Sequence, residues 1–172
     1  MKKIIIVVFI VLIIIPIFLK KEKEITPQVI SYIDEIDKIN ETCHINTNKL
    51  NIDLRVEYLN TLKDKKIILY GNGIDELNNY LKKEYFLENK KFNLTINNEG
   101  YVYEIFSVFI SKPDDYNHTQ LLFKDNEYER HIDYLINETI YEKEFIPRDS
   151  FIITIQKQYD LNKYLIINAR RI

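Results

Sequence analysis

The first apolar pattern in the chain is a single unbroken block. Lys2 and Lys3 precede residues 4–19, sixteen uncharged apolar residues, and the charged run KKEKE follows them. As a helix, this block is about 24 Å long, and lysines at its two ends extend toward the interfaces of an apolar bilayer core about 30 Å thick. The block lacks the small residues of a signal-peptide cleavage site. It therefore predicts an uncleaved membrane anchor over residues 1–23.

An amphipathic pattern follows the anchor. Thr26 and Pro27 are typical of a helix N-cap and of the first helical position. Apolar residues then recur at helical spacing, at Val29, Ile30, Ile33 and Ile36. We predict a helix over residues 27–39, within a segment of helix and connector that covers residues 24–45.

From Ile52 onward the pattern changes to that of β-strands. Residues 67–70 are an unbroken apolar run and predict a buried strand. Residues 92–96 and 101–110 flank the turn sequence NNEG and predict a hairpin. Two further stretches, residues 151–155 and 164–168, are apolar or β-branched and predict central strands.

Two helices are predicted between these strands, over residues 74–87 and 126–136, with Asp125 as the cap of the second. Their apolar stripes are Ile74, Leu77, Leu81 and Tyr85 in the first and Tyr128, Ile132 and Leu135 in the second. Several strands with only two helices favour a mixed, mostly antiparallel sheet or barrel over a doubly wound α/β fold. We place this mainly β domain at residues 46–172.

Composition narrows the class of protein. The chain has 172 residues and a formal net charge of -2, which argues against a nucleic-acid partner because such proteins normally carry a basic face. Ile, Lys, Asn and Tyr are abundant and Ala169 is the only alanine, a bias typical of A/T-rich bacterial coding sequences. With Cys43 as its only cysteine, the chain has no internal disulfide.

Short polar motifs in the β domain have plain structural interpretations. The sequence YGNGID lacks the lysine and the serine or threonine of a P-loop. Asn72 and Gly73 are therefore interpreted as a turn, and phosphate binding at this turn has little support. Asp114 and Asp115 follow a proline and are interpreted as turn residues rather than as a catalytic carboxylate pair.

The thiol and the imidazoles do not form an evident site in the sequence. Cys43 and His44 are adjacent in a polar connecting segment, where the two side chains do not face each other, so Cys43 is interpreted as an incidental thiol. His118 is interpreted as a polar loop residue and His131 as a polar residue on a helix surface. Histidines at metal-ligand spacing with acidic partners are lacking, so we expect no metal site.

Four stretches, taken in order, carry a family resemblance. They are NTLKDKKIILYGNG, LKKEYFLENKKFNLTINNEGYVYEIFSVFI, HIDYLINETIYEKE and IITIQKQYDLNKYLIINARRI. Together they resemble class B sortases, the membrane-anchored cysteine transpeptidases of Gram-positive bacteria. In that family the first stretch ends in YGHN, and the last carries T-L-x-T-C-x-Y before an arginine that begins the final strand. The resemblance covers residues 50–172, and the anchor and helix before them also fit the family's layout.

The resemblance implies a fold and a chemistry. The fold is an eight-stranded β-barrel with flanking helices, on the outside of the cell. In the chemistry, a cysteine thiolate attacks a peptide bond in a sorting signal, and an amine of the cell-wall precursor resolves the acyl-enzyme. A histidine serves as acid and base, and an arginine donates to the oxyanion. The early barrel strands of this chain are either missing or built from CHINTNKLNIDLRVEYL, because the segment before YGNG is shorter than in the family.

All three catalytic positions of the family are occupied by other residues. The histidine falls on Asn72, and the cysteine falls on Lys157 or Gln158, because the interval before Tyr159 is one residue short. Aligning the last strand from its end puts the arginine position at Tyr164, with Lys163 one step away. An asparagine does not titrate near neutral pH, and neither lysine nor glutamine attacks a peptide as a thiolate does.

These replacements predict a pseudoenzyme: a single-pass membrane protein whose extracellular sortase-like domain binds a peptide or protein with a sorting signal and does not cleave it. No catalytic residue and no cofactor is expected. Two alternatives stay open at this point. The protein is an active transpeptidase that anchors proteins to the cell wall through atypical residues, or it is a decaying copy with no retained role.

Overall fold

The computed structural model describes residues 42–58, 65–96, 99–112 and 114–172. The predicted anchor and the predicted helix at 27–39 lie outside these residues. The strands are β1 (Thr42–Asn46), β2 (Asn51–Tyr58), β3 (Lys66–Tyr70), β4 (Lys91–Ile96), β5 (Glu99–Ile110), β6 (Ile152–Asp160) and β7 (Lys163–Arg171). The helices are a 3-10 helix (Asp75–Leu81), α1 (Lys83–Glu88), a short 3-10 turn (Asn117–Thr119) and α2 (Glu127–Glu138).

The seven strands of the described chain form a closed barrel in the order β1-β2-β3-β6-β7-β5-β4. The barrel closes where β1 pairs with β4, with His44 opposite Thr95. Neighbouring strands are antiparallel, except that β3 and β6 run parallel. The predicted mainly β barrel with flanking helices is confirmed, and the described residues supply seven strands where the resemblance implied eight.

The segment CHINTNKLNIDLRVEYL supplies the strands that close the barrel. β1 and β2 pair from Thr42 opposite Arg55 to Asn46 opposite Asn51. This segment therefore builds two early strands, and the described residues still contain one strand fewer than the resemblance implied. Within the described residues, the first strand starts at Thr42, inside the segment assigned to the connector.

Cys43 is a core residue, and the prediction of a polar connecting segment around it is wrong. Cys43 and Ile45 point into the barrel and are each 1% exposed. His44 lies between them on the opposite face, where its Nδ1 is 2.9 Å from Oδ1 of Asp53. The alternation of apolar and polar residues marks a strand that is buried on one face.

Two apolar clusters hold the barrel and its covering helix together. The cluster inside the barrel includes Leu54, Leu69, Leu94, Ile105, Ile155 and Ile167. The cluster outside it, beneath α2, consists of Phe106, Phe109, Tyr128, Ile132, Leu135, Ile146, Ile152 and Ile166. β5, β6 and β7 contribute to both clusters, which explains why their sequences are apolar on both faces. Each fully buried side chain of this kind contributes roughly 1.5–3 kcal/mol.

The first predicted helix is divided in two. The chain forms a 3-10 helix over Asp75–Leu81 and then α1 over Lys83–Glu88, because Lys82 has extended backbone angles (φ -95, ψ 122). This break places both Leu77 and Tyr80 of the 3-10 helix in buried positions. The sequence prediction of one helix over residues 74–87 therefore missed the break at Lys82.

The second helix is present, but its predicted cap is not. α2 starts at Glu127, its N-cap residue is Asn126, and the Asn126 side chain makes no capping hydrogen bond. Asp125 instead has a positive φ of 47°, which is the conformation of a tight turn before the helix. The buried stripe of α2 includes the predicted Tyr128, Ile132 and Leu135.

Within the described ranges, neither helix is long and apolar enough to span a bilayer.

Candidate functional site

The turn after β3 places Asn72 at one end of the barrel. The Gly71 N–H donates to the carbonyl of Gln156 in β6 (2.9 Å), and the Ile74 N–H donates back to the Gly71 carbonyl (3.1 Å). Gly73 has a φ of +83°, which a residue with a side chain adopts only with strain. The two glycines thus turn the chain tightly and leave Asn72 exposed at the corner.

The side chain of Asn72 fastens this turn to β6. Its Oδ1 accepts a hydrogen bond of 2.8 Å from the backbone N–H of Gln158. An amide that accepts here supplies no proton transfer near neutral pH. The described contact of Asn72 is therefore a structural link between the end of β3 and the end of β6.

Lys157 and Gln158 lie on opposite faces of β6. Ile153 and Ile155 belong to the cluster inside the barrel, and strand alternation puts Lys157 on that same side and Gln158 on the outside. The burial agrees, since Lys157 is buried and Gln158 is exposed. Of the two positions matched to the family's cysteine, only Gln158 therefore shares a surface with Asn72.

The side-chain nitrogen of Lys157 is hydrogen-bonded to residues of the 3-10 helix. Its Nζ lies 3.2 Å from Oδ1 of Asp75 and donates to Oδ1 of Asn78 at 3.1 Å. The side chain of Asp75 is 91% exposed and that of Lys157 only 6%, so the pair lies at the edge of the barrel. Lys157 joins β6 to the helix that covers this end of the barrel.

On β7, Tyr164 lies directly opposite Gln158 in the strand register. The backbone of Tyr164 is held on its other side by Ser111, which accepts from the Tyr164 N–H through Oγ (3.0 Å) and donates its own N–H to the Tyr164 carbonyl (2.8 Å). Lys163 is exposed, pairs with Asp160 at the β-turn, and alternates to the face opposite Tyr164. The structure therefore brings Asn72, Gln158 and Tyr164 together and leaves Lys163 apart.

The only cysteine of the chain lies elsewhere in the barrel. Cys43 is in β1, and two strands, β2 and β3, separate β1 from β6 in the sheet. Burial raises the pKa of the Cys43 thiol to about 12. A buried thiol with a raised pKa is inert, because the thiolate is the nucleophile.

We expect Cys43 to resist alkylation in the folded protein. At about pH 8, a thiol with a pKa near 12 is ionised roughly a thousandfold less than a free cysteine, so iodoacetamide should label it only on unfolding. In a Cys43→Ala background, Gln158→Cys should react at once and Lys157→Cys slowly. Equal labelling rates at 157 and 158, measured by mass spectrometry, would contradict the assignment of the two faces.

A buried cluster of Lys66, His118 and His131, between β3 and α2, was not visible in the sequence. Lys66, at the start of β3, is 1% exposed. Its Nζ donates to the carbonyls of His118 (2.6 Å) and Gln120 (3.0 Å) and lies 2.8 Å from Nε2 of His131. Burial lowers the pKa of Lys66 well below its usual value. Its position at the edge of an apolar run was the one sequence signal that this lysine faces the interior.

His118 and His131 are both buried: His118 lies in a loop as predicted but faces the interior, and the interpretation of His131 as a residue on the helix surface is wrong. His118 is 1% exposed and His131 is 4% exposed. Burial, and next the neighbouring Lys66, lowers the pKa of His118 to about 4 and that of His131 to about 2. Both imidazoles are therefore neutral at physiological pH.

His118 connects this cluster to the surface near Tyr164. The centres of the two rings are 6.4 Å apart. Neither ring nitrogen of His118 has a hydrogen-bond partner among the described residues, and neither does Oε1 of Gln156 in β6. Unpaired buried polar atoms are rare in folded proteins, and a further one, Nε of Arg170, lies at the other end of β7.

Comparison with solved structures identifies the architecture. Sortase B from Clostridium perfringens superposes with a TM-score of 0.68 at 18% identity, over 83% of this chain and 98% of that one. Sortase B from the type II pilus of Streptococcus pneumoniae gives 0.67 at 12% identity, over 84% and 97%. A sortase B complexed with triglycine gives 0.68 at 17% identity, over 91% of each chain.

This chain has a sortase B-like fold. No protein-family model and no curated protein sequence matches it. At these levels of identity the sortase B likeness describes the fold, and the match of Asn72, Gln158 and Tyr164 to the family's histidine, cysteine and arginine stays a prediction. So does the alternative match to Lys157 and Lys163.

The hydrogen bond between Asn72 and β6 should contribute measurably to the free energy of unfolding. Asn72→Ala removes the acceptor for the Gln158 N–H at an exposed site, so the free energy of unfolding should fall by about 0.5–1.5 kcal/mol in urea titrations. Asn72→Asp keeps an acceptor oxygen and should retain most of the stability. Asn48 is exposed in the β1–β2 turn, and Asn48→Ala should change the stability by less than about 0.5 kcal/mol. A loss in Asn48→Ala as large as in Asn72→Ala would argue against a specific link.

Proposed function

We propose that this protein is a membrane-anchored, extracellular pseudo-sortase that binds a peptide or protein carrying a sorting signal and does not cleave it. The observation that carries the proposal is the position of Cys43. The chain has one cysteine, and that cysteine is enclosed in the barrel core, away from Asn72 and Gln158. A sortase-like barrel without a thiol at its surface lacks the nucleophile of the family's reaction.

The contacts around Asn72 support the same proposal. The three side chains matched to the catalytic residues are not arranged as an acid, a base and a nucleophile. Asn72 is bonded to a backbone N–H, and Lys157 to the 3-10 helix. These are contacts that stabilise one end of the barrel. They preserve the surface on which a ligand would rest without providing a group to react with it.

A peptide is the ligand class that the fold favours. One of the solved sortase B structures with this architecture is complexed with triglycine. In the present chain the surface at Asn72, Gln158 and Tyr164 offers amide groups and a half-buried tyrosine. Amides pair with peptide backbone groups, and a tyrosine ring packs against side chains while its hydroxyl remains wet.

The test is a binding and turnover experiment on the full-length chain in detergent micelles. A fluorescent peptide with a sorting signal is titrated for anisotropy, and the same peptide is incubated with triglycine and followed by mass spectrometry. We expect saturable binding with neither hydrolysis nor transfer to triglycine. Gln158→Arg should weaken the binding because it adds bulk to the proposed surface. Asn46→Arg, at an exposed position at the end of β1 and separated from β6 by two strands in the barrel order, should not weaken it.

Three results would contradict the proposal. Turnover that persists in Cys43→Ala and disappears in Asn72→Ala or Lys157→Ala would indicate an active enzyme with atypical residues. Failure to bind any sorting-signal peptide, in a protein that unfolds cooperatively, would remove the proposed ligand. Lack of a cooperative thermal transition would favour a decaying copy.

The proposed location has a separate test. Membrane fractionation of the expressing bacterium, followed by protease treatment of intact protoplasts, should release the domain while the anchor stays in the membrane. Protection of the domain from the protease would place it on the other side of the membrane. This outcome does not depend on ligand binding, so the proposed location and the proposed peptide binding can be contradicted independently of each other.

A further inference from the structure

A cavity of about 280 Å³ lies between α2 and the loop that precedes it, apart from Asn72 and Gln158. It is lined by Asn117, Gln120, Glu127, Arg130, His131 and Tyr134. The four α2 residues in this set recur at intervals of three and four, so they form one continuous face of the helix. Its volume is close to the lower end of small-molecule sites, which suits a ligand of a few heavy atoms.

Arg130 brings an unpaired positive charge to this cavity. Its backbone N–H bonds to the Asn126 carbonyl, but its guanidinium has neither a hydrogen bond nor an ion pair with any residue that the structure describes. The neighbouring Arg148 differs, since its guanidinium contacts Oδ1 of Asp133 at 2.6 Å and the carbonyl of Glu129. An unpaired guanidinium presents a planar fork of donors that matches a carboxylate.

The inner wall of the cavity is formed by a neutral imidazole. His131 lines the cavity, and its Nε2 lies 2.8 Å from the buried Nζ of Lys66. Among the described residues, Lys66 bonds to two carbonyls and to this imidazole but to no carboxylate. Because burial lowers the pKa of Lys66 and its Nζ already has three partners, Lys66 brings no unbalanced positive charge to the cavity.

The cavity also has one acidic side chain. Glu127 lines the same cavity one helical turn before Arg130, and its Oε2 accepts the Lys124 N–H at 2.8 Å. In the part of the chain that the structure describes, no ion pair joins Glu127 to Arg130, although the two residues are one turn apart on the same helix face. The second carboxyl oxygen of Glu127 remains able to accept from an ammonium group, whereas a simple anion would be repelled by it.

We propose that this cavity binds a small α-amino acid, with its carboxylate on Arg130 and its ammonium group on Glu127. Asn117 and Gln120 supply amides on the opposite wall, and the ring of Tyr134 closes the side. The hydroxyl of Tyr134 donates to Oδ2 of Asp115 (2.7 Å), which fixes that ring in place. The site is independent of the proposed peptide surface, so either can exist without the other.

The test uses isothermal titration calorimetry on the full-length chain with three probes of similar size: L-alanine, propionate and ethylamine. L-alanine should bind with millimolar affinity, and propionate and ethylamine at least about tenfold more weakly, because each loses one charge-assisted hydrogen bond. Arg130→Gln should weaken L-alanine binding at least about tenfold. Glu127→Gln should remove the preference for L-alanine over propionate.

Arg148→Gln is the matched control, since it removes an arginine that is already paired outside the cavity lining, and it should leave binding unchanged. Propionate binding as tightly as L-alanine would overturn the amino-acid assignment and indicate a simple anion site. Lack of saturable heat with L-alanine at millimolar concentrations would overturn the site itself. Circular dichroism of each variant confirms that loss of binding is not loss of fold.

Discussion

Lowering the pH from about 7 to about 4 should destabilise the barrel by several kcal/mol, because His118 and His131 stay neutral in the folded protein. Their pKa values fall from 6.5 to about 4 and about 2. Below pH 6.5 the unfolded chain therefore binds protons that the folded chain excludes, and stability decreases as the pH falls through this window. At about 1.4 kcal/mol per pKa unit, His118 alone accounts for about 3 kcal/mol at pH 4.

Urea titrations at both pH values measure this loss in the wild-type protein and in three glutamine variants. Between pH 7 and pH 4, the free energy of unfolding should decrease less in His118→Gln and His131→Gln than in the wild type. For His118→Gln the decrease should be about 3 kcal/mol smaller than that of the wild type. His44 is half-buried on the barrel surface beside Asp53, and His44→Gln should keep the wild-type decrease. A His118→Gln protein that loses as much stability as the wild type would show that the imidazole is not excluded from protonation.

Gly71→Ala should lower the free energy of unfolding by about 1–3 kcal/mol, the usual cost of overpacking a core. A Cβ atom at this position would lie 2.3 Å from Cδ1 of Leu77 and 3.3 Å from Cδ2 of Leu54. Both leucines are fully buried, so neither side chain moves away into solvent. The tight approach of the 3-10 helix to the end of β3 therefore requires glycine here.

The other two glycines provide the controls. Gly73→Ala meets no atom within 4 Å but must adopt a φ of +83°, so it should cost about 1 kcal/mol. At Gly100 an added Cβ has no atom within 4 Å and the φ angle is not positive, so Gly100→Ala should be neutral or slightly stabilising. In a double-mutant cycle, Leu77→Ala should relieve part of the cost of Gly71→Ala. Additive losses in that cycle would exclude the Gly71–Leu77 contact as the cause.

The barrel was predictable because its strands are long apolar or alternating runs. The run at 67–70 became β3, and the stretches 151–155 and 164–168 became the cores of β6 and β7. The pairing partners were not predictable from these runs. Both strands are largely buried on their two faces, so nothing local specifies that they lie side by side and parallel.

The same two-sided burial limited the prediction of the candidate site. A strand with polar residues on one face would have shown that Lys157 and Gln158 point in opposite directions. In β6 the residues from Ile152 to Lys157 are all buried, and the alternation is hidden. The turn at Asn72 was predictable, because Asn-Gly after an apolar strand is a strong local signal. Its hydrogen-bond partner was not, because that partner is a backbone group 86 residues away.

The buried histidines show a different limit. A polar residue within an otherwise polar loop or helix gives no periodic signal of burial, as His118 and His131 illustrate. Their burial depends on Lys66, which is distant in sequence and whose ammonium group bonds to the loop carbonyls. Tertiary contacts of this kind override local pattern, so the sequence alone predicts the covering helix but not the polar cluster beneath it.

The parallel pairing of β3 with β6 also affects when the surface at Asn72 can form. Ile68 pairs with Thr154, so this contact closes a chain segment that includes β4, β5 and both helices. Contacts of such large sequence separation are slow to form because loop-closure entropy opposes them. During synthesis, Asn72 therefore emerges long before its partner strand, and its link to Gln158 forms only after β6 has emerged. A chain that stops before β6 would expose one edge of β3, a site for association with other strands.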